Sequence, residues 1–75
     1  MEEISFRIRP YFKRELAELY FPETVNARSA VANLRNLISR NPELMQELSK
    51  VRYKPYSKIF TPKQVSILVR YLGEP

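Results

Sequence analysis

The sequence predicts an α+β fold, a small helical domain with a two-stranded sheet, in the order strand, helix, helix, helix, strand, helix. Two observations carry this expectation. Apolar residues recur every three or four positions through most of the chain, the period of a helix with one buried face. Residues 4–9 and 58–60 instead read as short strands, far apart in sequence, whose natural solution is to pair with each other. At 75 residues the chain is a single domain, 1–75, with no room for a second.

Residues 4–9 alternate, with Ile4, Phe6 and Ile8 on one side and Ser5, Arg7 and Arg9 on the other, a half-buried strand stopped by Pro10. Phe12, Leu16, Leu19 and Tyr20 then fall at helical spacing. Phe21-Pro22 ends that helix, because the residue before proline avoids the helical region. A second helix is expected from about Asn26 to Arg40, with Ala27, Ala30, Val31, Leu34, Leu37 and Ile38 inward. Asn41-Pro42-Glu43 starts a third: Asn caps it, Pro takes the first helical position and Glu meets the positive end of the dipole. Its stripe is Leu44, Met45, Leu48 and Val51. A basic loop, 52–58, leads into the second strand.

The last helix carries the clearest start. Thr61 and Gln64 are spaced for a capping box, Pro62 sits first, and Phe60 is placed to staple onto Val65. Gly73, expected in the left-handed conformation, ends it, with Pro75 beyond.

A chain this short buries only about 60% of the surface its unfolded form exposes, so small domains are usually reinforced by disulfides, metal or oligomerisation. With no cysteine and no histidine, disulfides are excluded and a zinc site lacks its natural ligands. Oligomerisation is left. Of the eight residues Val65–Leu72, six are apolar and cover more than one face. Val65, Leu68, Val69 and Leu72 suffice for a core. Ile67 and Tyr71 then form a second stripe, either the interface of a homodimer or the far side of a centrally buried helix.

Catalysis fails on inventory. Histidine is absent, every Glu is explained by a helix surface or cap, and no Ser or Thr has a base to activate it. One glycine cannot build a phosphate-cradling loop. No enzyme, cofactor, metal or small-molecule substrate is expected. No apolar run approaches the roughly 20 residues of a membrane span, and Met-Glu-Glu opens the chain without a signal-peptide core, so a cytoplasmic, membrane-free protein is expected.

Binding is what remains. Thirteen Lys and Arg stand against eight Glu, for a net charge of +5. The stretch between Thr24 and Pro42 has no acid, and neither does that between Leu48 and Gly73. Such segregation suits an anionic partner, of which a phosphate backbone is the commonest, or a merely solubilising surface. Two constellations fit the first alternative. Lys13-Arg-Glu-Leu-Ala-Glu-Leu-Tyr20 resembles the opening helix of bacterial helix-turn-helix regulators, an analogy that sends helix 26–40 into the major groove of DNA. Arg28, Ser29, Asn33 and Arg35, with Arg40 beyond, are then the groove-facing side chains. In the loop, Lys50, Arg52, Lys54 and Lys58 interleave with Tyr53 and Tyr56, a pattern able to straddle a phosphate backbone. The alternatives are an ordinary amphipathic helix pair, and a loop whose tyrosines pack sideways while its lysines stay in water. Nucleic-acid binding is the leading expectation and a homodimeric protein-interaction module the second.

Phe6-Arg-Ile-Arg-Pro-Tyr11, Glu15-Leu-Ala-Glu-Leu-Tyr-Phe-Pro22, Asn41-Pro-Glu-Leu44, Phe60-Thr-Pro-Lys-Gln-Val65 and Tyr71-Leu-Gly-Glu-Pro75 together resemble domain-of-unknown-function family 4248, a family of short bacterial proteins. The resemblance spans nearly the full length and is most specific at the C-terminal motif. It implies a small α+β fold and a homodimer, and no activity. One departure is Phe12, where the resemblance implies a small helix-capping hydroxyl.

Overall fold

The computed structural model describes residues 6–75. It contains β1 (Tyr11–Phe12), α1 (Lys13–Tyr20), α2 (Ala27–Ser39), α3 (Pro42–Lys50), β2 (Ile59–Phe60) and α4 (Pro62–Leu72). The strands pair antiparallel, Tyr11 opposite Phe60 and Phe12 opposite Ile59. Partners directly opposite share a face of the ladder. Tyr11 and Phe60 therefore face inward and are buried, while Phe12 and Ile59 face outward and are exposed.

The first strand lies after Pro10, not before it. Of the stretch 4–9, Ile4 and Ser5 lie outside the described residues, and residues 6–9 form no strand. Their alternation is used differently. The Phe6 ring stacks on Tyr11 at 5.3 Å, the Arg9 guanidinium covers the same ring at 3.8 Å, and the Tyr11 hydroxyl donates to the Arg7 carbonyl at 2.8 Å. The segment folds around one aromatic ring, and the residues that pair with β2 are the two that follow the proline.

The core takes side chains from every element: Leu16 and Ala17 of α1, Ala30, Leu34 and Ile38 of α2, Leu44 and Leu48 of α3, Val65 and Leu68 of α4, with Tyr11 and Phe60 of the sheet. Ala17 and Ala30 are fully buried; such small side chains suit the close packing of α1 against α2. Leu19 and Leu37, both expected inward, are exposed. Leu37 instead lies beside Phe21 on the flank of α2. Ile67 and Tyr71 are half-buried and pack against the core cluster, so neither stands out as a free apolar stripe.

The helix ends follow the local chemistry. Asn26 caps α2 by accepting from the Ser29 amide at 2.8 Å, and Asn41 caps α3 by accepting from Leu44 at 3.1 Å. At α4 both halves of the capping box form: Gln64 N donates to Thr61 Oγ1 at 3.3 Å, and Thr61 N donates to Gln64 Oε1 at 3.0 Å. The Gln64 amide nitrogen also donates to the Val51 carbonyl at 3.0 Å, tying the start of α4 to the end of α3. Thr61→Ala removes the hydroxyl half of the box and is expected to cost about 1 kcal/mol. In a domain this small the melting midpoint should fall by roughly 4–8 °C. An unchanged midpoint would show that the cap contributes nothing.

Two helix C-termini depart from the usual left-handed glycine cap; at α4 the residue is the expected Gly73 and only its conformation differs. After α3, Tyr53 N–H donates to Leu48 O at 3.1 Å and Arg52 N–H to Ser49 O at 3.4 Å, the bond pair of a Schellman motif. The left-handed position of that motif favours glycine, yet Arg52 occupies it with φ +65°. After α4, Gly73 has φ +84° but ψ 168°, a region essentially confined to glycine and distinct from the left-handed helical one. The Gly73 carbonyl accepts from the Tyr20 hydroxyl at 2.6 Å, fastening the C-terminal turn to α1.

Burial, with a smaller contribution from the Glu74 charge, pushes the Tyr20 hydroxyl from 10.0 up to about 12. A raised folded-state value contributes stability that is fully present below pH 10 and is lost as pH rises toward 12. The full shift would be worth roughly 3 kcal/mol. Contact of the ring with solvent reduces this to about 1 kcal/mol. Denaturant midpoints between pH 9 and 12 are therefore expected to fall more steeply for the parent than for Tyr20→Phe. Parallel curves would contradict the assignment. Burial raises Tyr53 as well, but that group is common to both proteins.

Candidate nucleic-acid interface

The site is built around Lys13. A lysine at a helix start belongs in water by default, but this one is 9% exposed. Its ammonium donates to the carbonyls of Lys54 and Pro55 at 2.8 and 3.0 Å, and lies 4.8 Å from the Tyr53 ring centroid and 5.4 Å from that of Phe60. Burial lowers its pKa, and the neighbouring Arg35 charge lowers it further. Lys13 thus pins the loop between α3 and β2 onto α1. The Lys13 amide donates to Lys58 O at 2.8 Å, extending the strand pairing by one step, and Ser57 N closes a turn on Lys54 O at 3.1 Å.

Pinning the loop creates a cleft of about 560 Å³, lined by Phe12, Lys13 and Arg14 at the start of α1, Val31 and Arg35 on α2, and Pro55 to Lys58 on the loop. Four of these residues are cations and none is an acid. The described ion pairs, Arg9–Glu15 at 2.9 Å and Glu47–Lys50 at 3.3 Å, both lie elsewhere. Arg9, chiefly through its hydrogen bond, holds the Glu15 carboxyl below the usual range, with a lesser contribution from the Phe12 backbone. Glu15 and Glu18 line a different depression, with Arg7 and Arg9. The start of α1 therefore separates a basic side, carrying Lys13 and Arg14, from one carrying the acids.

The residues expected to bind nucleic acid are only partly brought together. Arg35 and Lys58, distant in sequence, line the same cleft. Arg28 and Ser29 are exposed in the first turn of α2, outside the described depressions. Asn33 and Arg40 border a smaller hollow with Phe21 and Leu37. Lys50 and Arg52 lie at the α3–α4 junction beside Lys63, where Glu47 already pairs Lys50. Lys54 contributes its carbonyl to Lys13 while its side chain stays exposed. The two loop tyrosines divide: Tyr53 stacks on Phe60 at 6.2 Å, and Tyr56 is 95% exposed.

Sequence reasoning missed Phe12, Lys13 and Arg14. A signal was present. Lys13 and Arg14 open α1, where the helix dipole favours acids, ahead of Glu15 in the same turn, and Phe12 before them offers no capping side chain.

Small, basic and four-helixed, with a two-stranded sheet and an acid-free cleft, the chain belongs to a class of α+β domains defined by fold. Residues 7–75 match the family model described as Domain of unknown function (DUF4248), and the chain belongs to that family. No curated protein and no solved structure matches it at a significant level. Among the described residues no helix is long and apolar enough to cross a membrane, and no three metal-ligating side chains group together.

Proposed function

We propose that this is a non-enzymatic, cytoplasmic nucleic-acid-binding protein whose phosphate contacts centre on the cleft between α1, α2 and the 53–58 loop. The observation that carries this reading is the lining itself: four cations, no acid, and no ion pair among the described residues that neutralises them. Arg14, Arg35 and Lys58 are exposed and form the contacts, while buried Lys13 fixes the loop that presents them. This moves the centre of binding from the outer face of α2 to its Arg35 flank. Six residues, 21–26, join α1 to α2, longer than the three- or four-residue turn of a helix-turn-helix.

Phosphate contact releases counterions, so affinity should fall with salt by a log–log slope of about −0.9 per phosphate neutralised on a duplex, or −0.7 on a single strand. Arg35→Ala or Lys58→Ala is expected to weaken all sequences alike and flatten that slope by about one contact. Fluorescence anisotropy across a salt series measures both. Affinity for DNA no greater than for heparin, and indifferent to the removal of either cation, would overturn the reading.

Self-association is the second reading, favoured by the exposed cross-strand pair Phe12 and Ile59 on the outer face of the sheet. It calls for a second copy of the chain on that face. Sedimentation then gives a dimer at micromolar concentration, and Ile59→Lys gives a monomer.

A further inference from the structure

We propose that the cleft seats an unpaired nucleobase, so that the ligand is single-stranded nucleic acid rather than a duplex. This rests on the nucleic-acid reading above and specifies the form of the ligand. Two aromatic side chains in the cleft lining are exposed, Phe12 at 62% and Tyr56 at 95%. Neither is explained by packing. Phe12 stands at the N-cap of α1, makes no side-chain cap, and faces away from the core across the sheet from Ile59. Tyr56 sits at the tip of the turn closed by Ser57 N and Lys54 O.

That turn is held from below. Lys13 donates to the carbonyls of both Lys54 and Pro55, the two residues before Tyr56, so the backbone that carries the ring is anchored while the ring itself projects. An anchored aromatic ring beside cations is the arrangement of single-strand binding surfaces, where bases stack on rings and basic side chains track the backbone. A base in a duplex has its faces covered by its neighbours, and extruding it costs a few kcal/mol. Arg14, Arg35 and Lys58 line the same cleft and supply the phosphate contacts on either side of a stacked base. The cleft, open to solvent, has a volume of about 560 Å³, within the ~300–1,000 Å³ of small-molecule sites in general.

The test compares a short mixed-sequence oligonucleotide as single-stranded DNA, as RNA and as duplex, binding the full chain and the variants Tyr56→Ala, Tyr56→Phe and Phe12→Ala. Circular dichroism of each variant verifies the fold. The expected result is tighter binding of either single strand than of the duplex. Tyr56→Ala weakens single-strand binding by about 5- to 150-fold, with little change on the duplex, and Tyr56→Phe retains it. Phe12→Ala acts in the same direction. Single-strand binding that loses nothing in either alanine variant, or losses equal on single strand and duplex, overturns the stacking proposal. If Arg35→Ala still flattens the salt slope, the nucleic-acid reading survives that result. Absence of binding to all three forms overturns both. Affinity for a free mononucleotide equal to that for the oligonucleotide assigns the cleft to a nucleotide and overturns the single-strand proposal.

Discussion

Replacing Lys13 with methionine is expected to destabilise the domain by about 1.5–3 kcal/mol, the range for a lost hydrogen bond to a charged group. The substitution keeps most of the buried aliphatic stem but removes the donors that hold Lys54 and Pro55. A change of that size should lower the melting midpoint by roughly 10–20 °C. A competing effect runs the other way, because replacing a buried charge with an apolar residue is often neutral or stabilising. The lowered pKa of Lys13 shows that burial does penalise its charge. That shift, however, compares the ammonium with the neutral amine, which still donates hydrogen bonds, whereas methionine offers no donor. Loss of the anchor should therefore win. It should also reduce nucleic-acid binding, since Tyr56 and Lys58 lie on the released loop. Thermal denaturation measures the first effect; an unchanged midpoint would show that the loop holds its position without Lys13.

The largest effect on binding is expected from reversing charge in the cleft. Arg35→Glu with Lys58→Glu removes two phosphate contacts and adds two repulsions. Each contact contributes about one unit of the salt exponent. At moderate salt the pair should lower affinity by roughly 10²- to 10³-fold. Both side chains are exposed, and neither is among the described ion pairs or side-chain hydrogen bonds, so the fold should tolerate the change. Lys50→Glu with Arg52→Glu alters net charge by the same amount at the α3–α4 junction, outside the cleft. The two doubles separate local contact from the general attraction of a +5 protein to any polyanion.

Much of the architecture is legible in the sequence because its helix boundaries are local. Thr61, Pro62, Gln64 and Gly73 mark α4 by capping chemistry that acts within a few residues, and Asn41-Pro42 does the same for α3. The first strand was less legible. Phe6 and Ile8 alternate as a strand would, but period two records only which side chains share a side, and the Tyr11 ring recruits Phe6 by stacking. Leu37 and Leu19 fit the helical period yet lie outside the core, because the period does not say how wide the buried face is.

The candidate site was legible in its charges and not in its geometry. Arg35 and Lys58 were recognisable as cations in acid-free stretches, but their convergence depends on how the loop crosses α1. That crossing is set by Lys13, a residue type whose default place is in water, held instead by two carbonyls and two rings. Arg28 and Arg52 have the same composition-level signal as Arg35, and only packing separates them. Phe12 was visible as an oddity at a capping position; its place in the lining of a basic cleft was not.

The most direct measurement is the affinity of the two charge-reversed doubles for single-stranded DNA at one fixed salt concentration, set beside the parent. Cleft binding requires Arg35→Glu with Lys58→Glu to lose roughly 10²-fold or more, while Lys50→Glu with Arg52→Glu loses far less. Equal losses in the two doubles, whose net charges are the same, would show that only overall charge attracts the nucleic acid, and would contradict a binding site in the cleft.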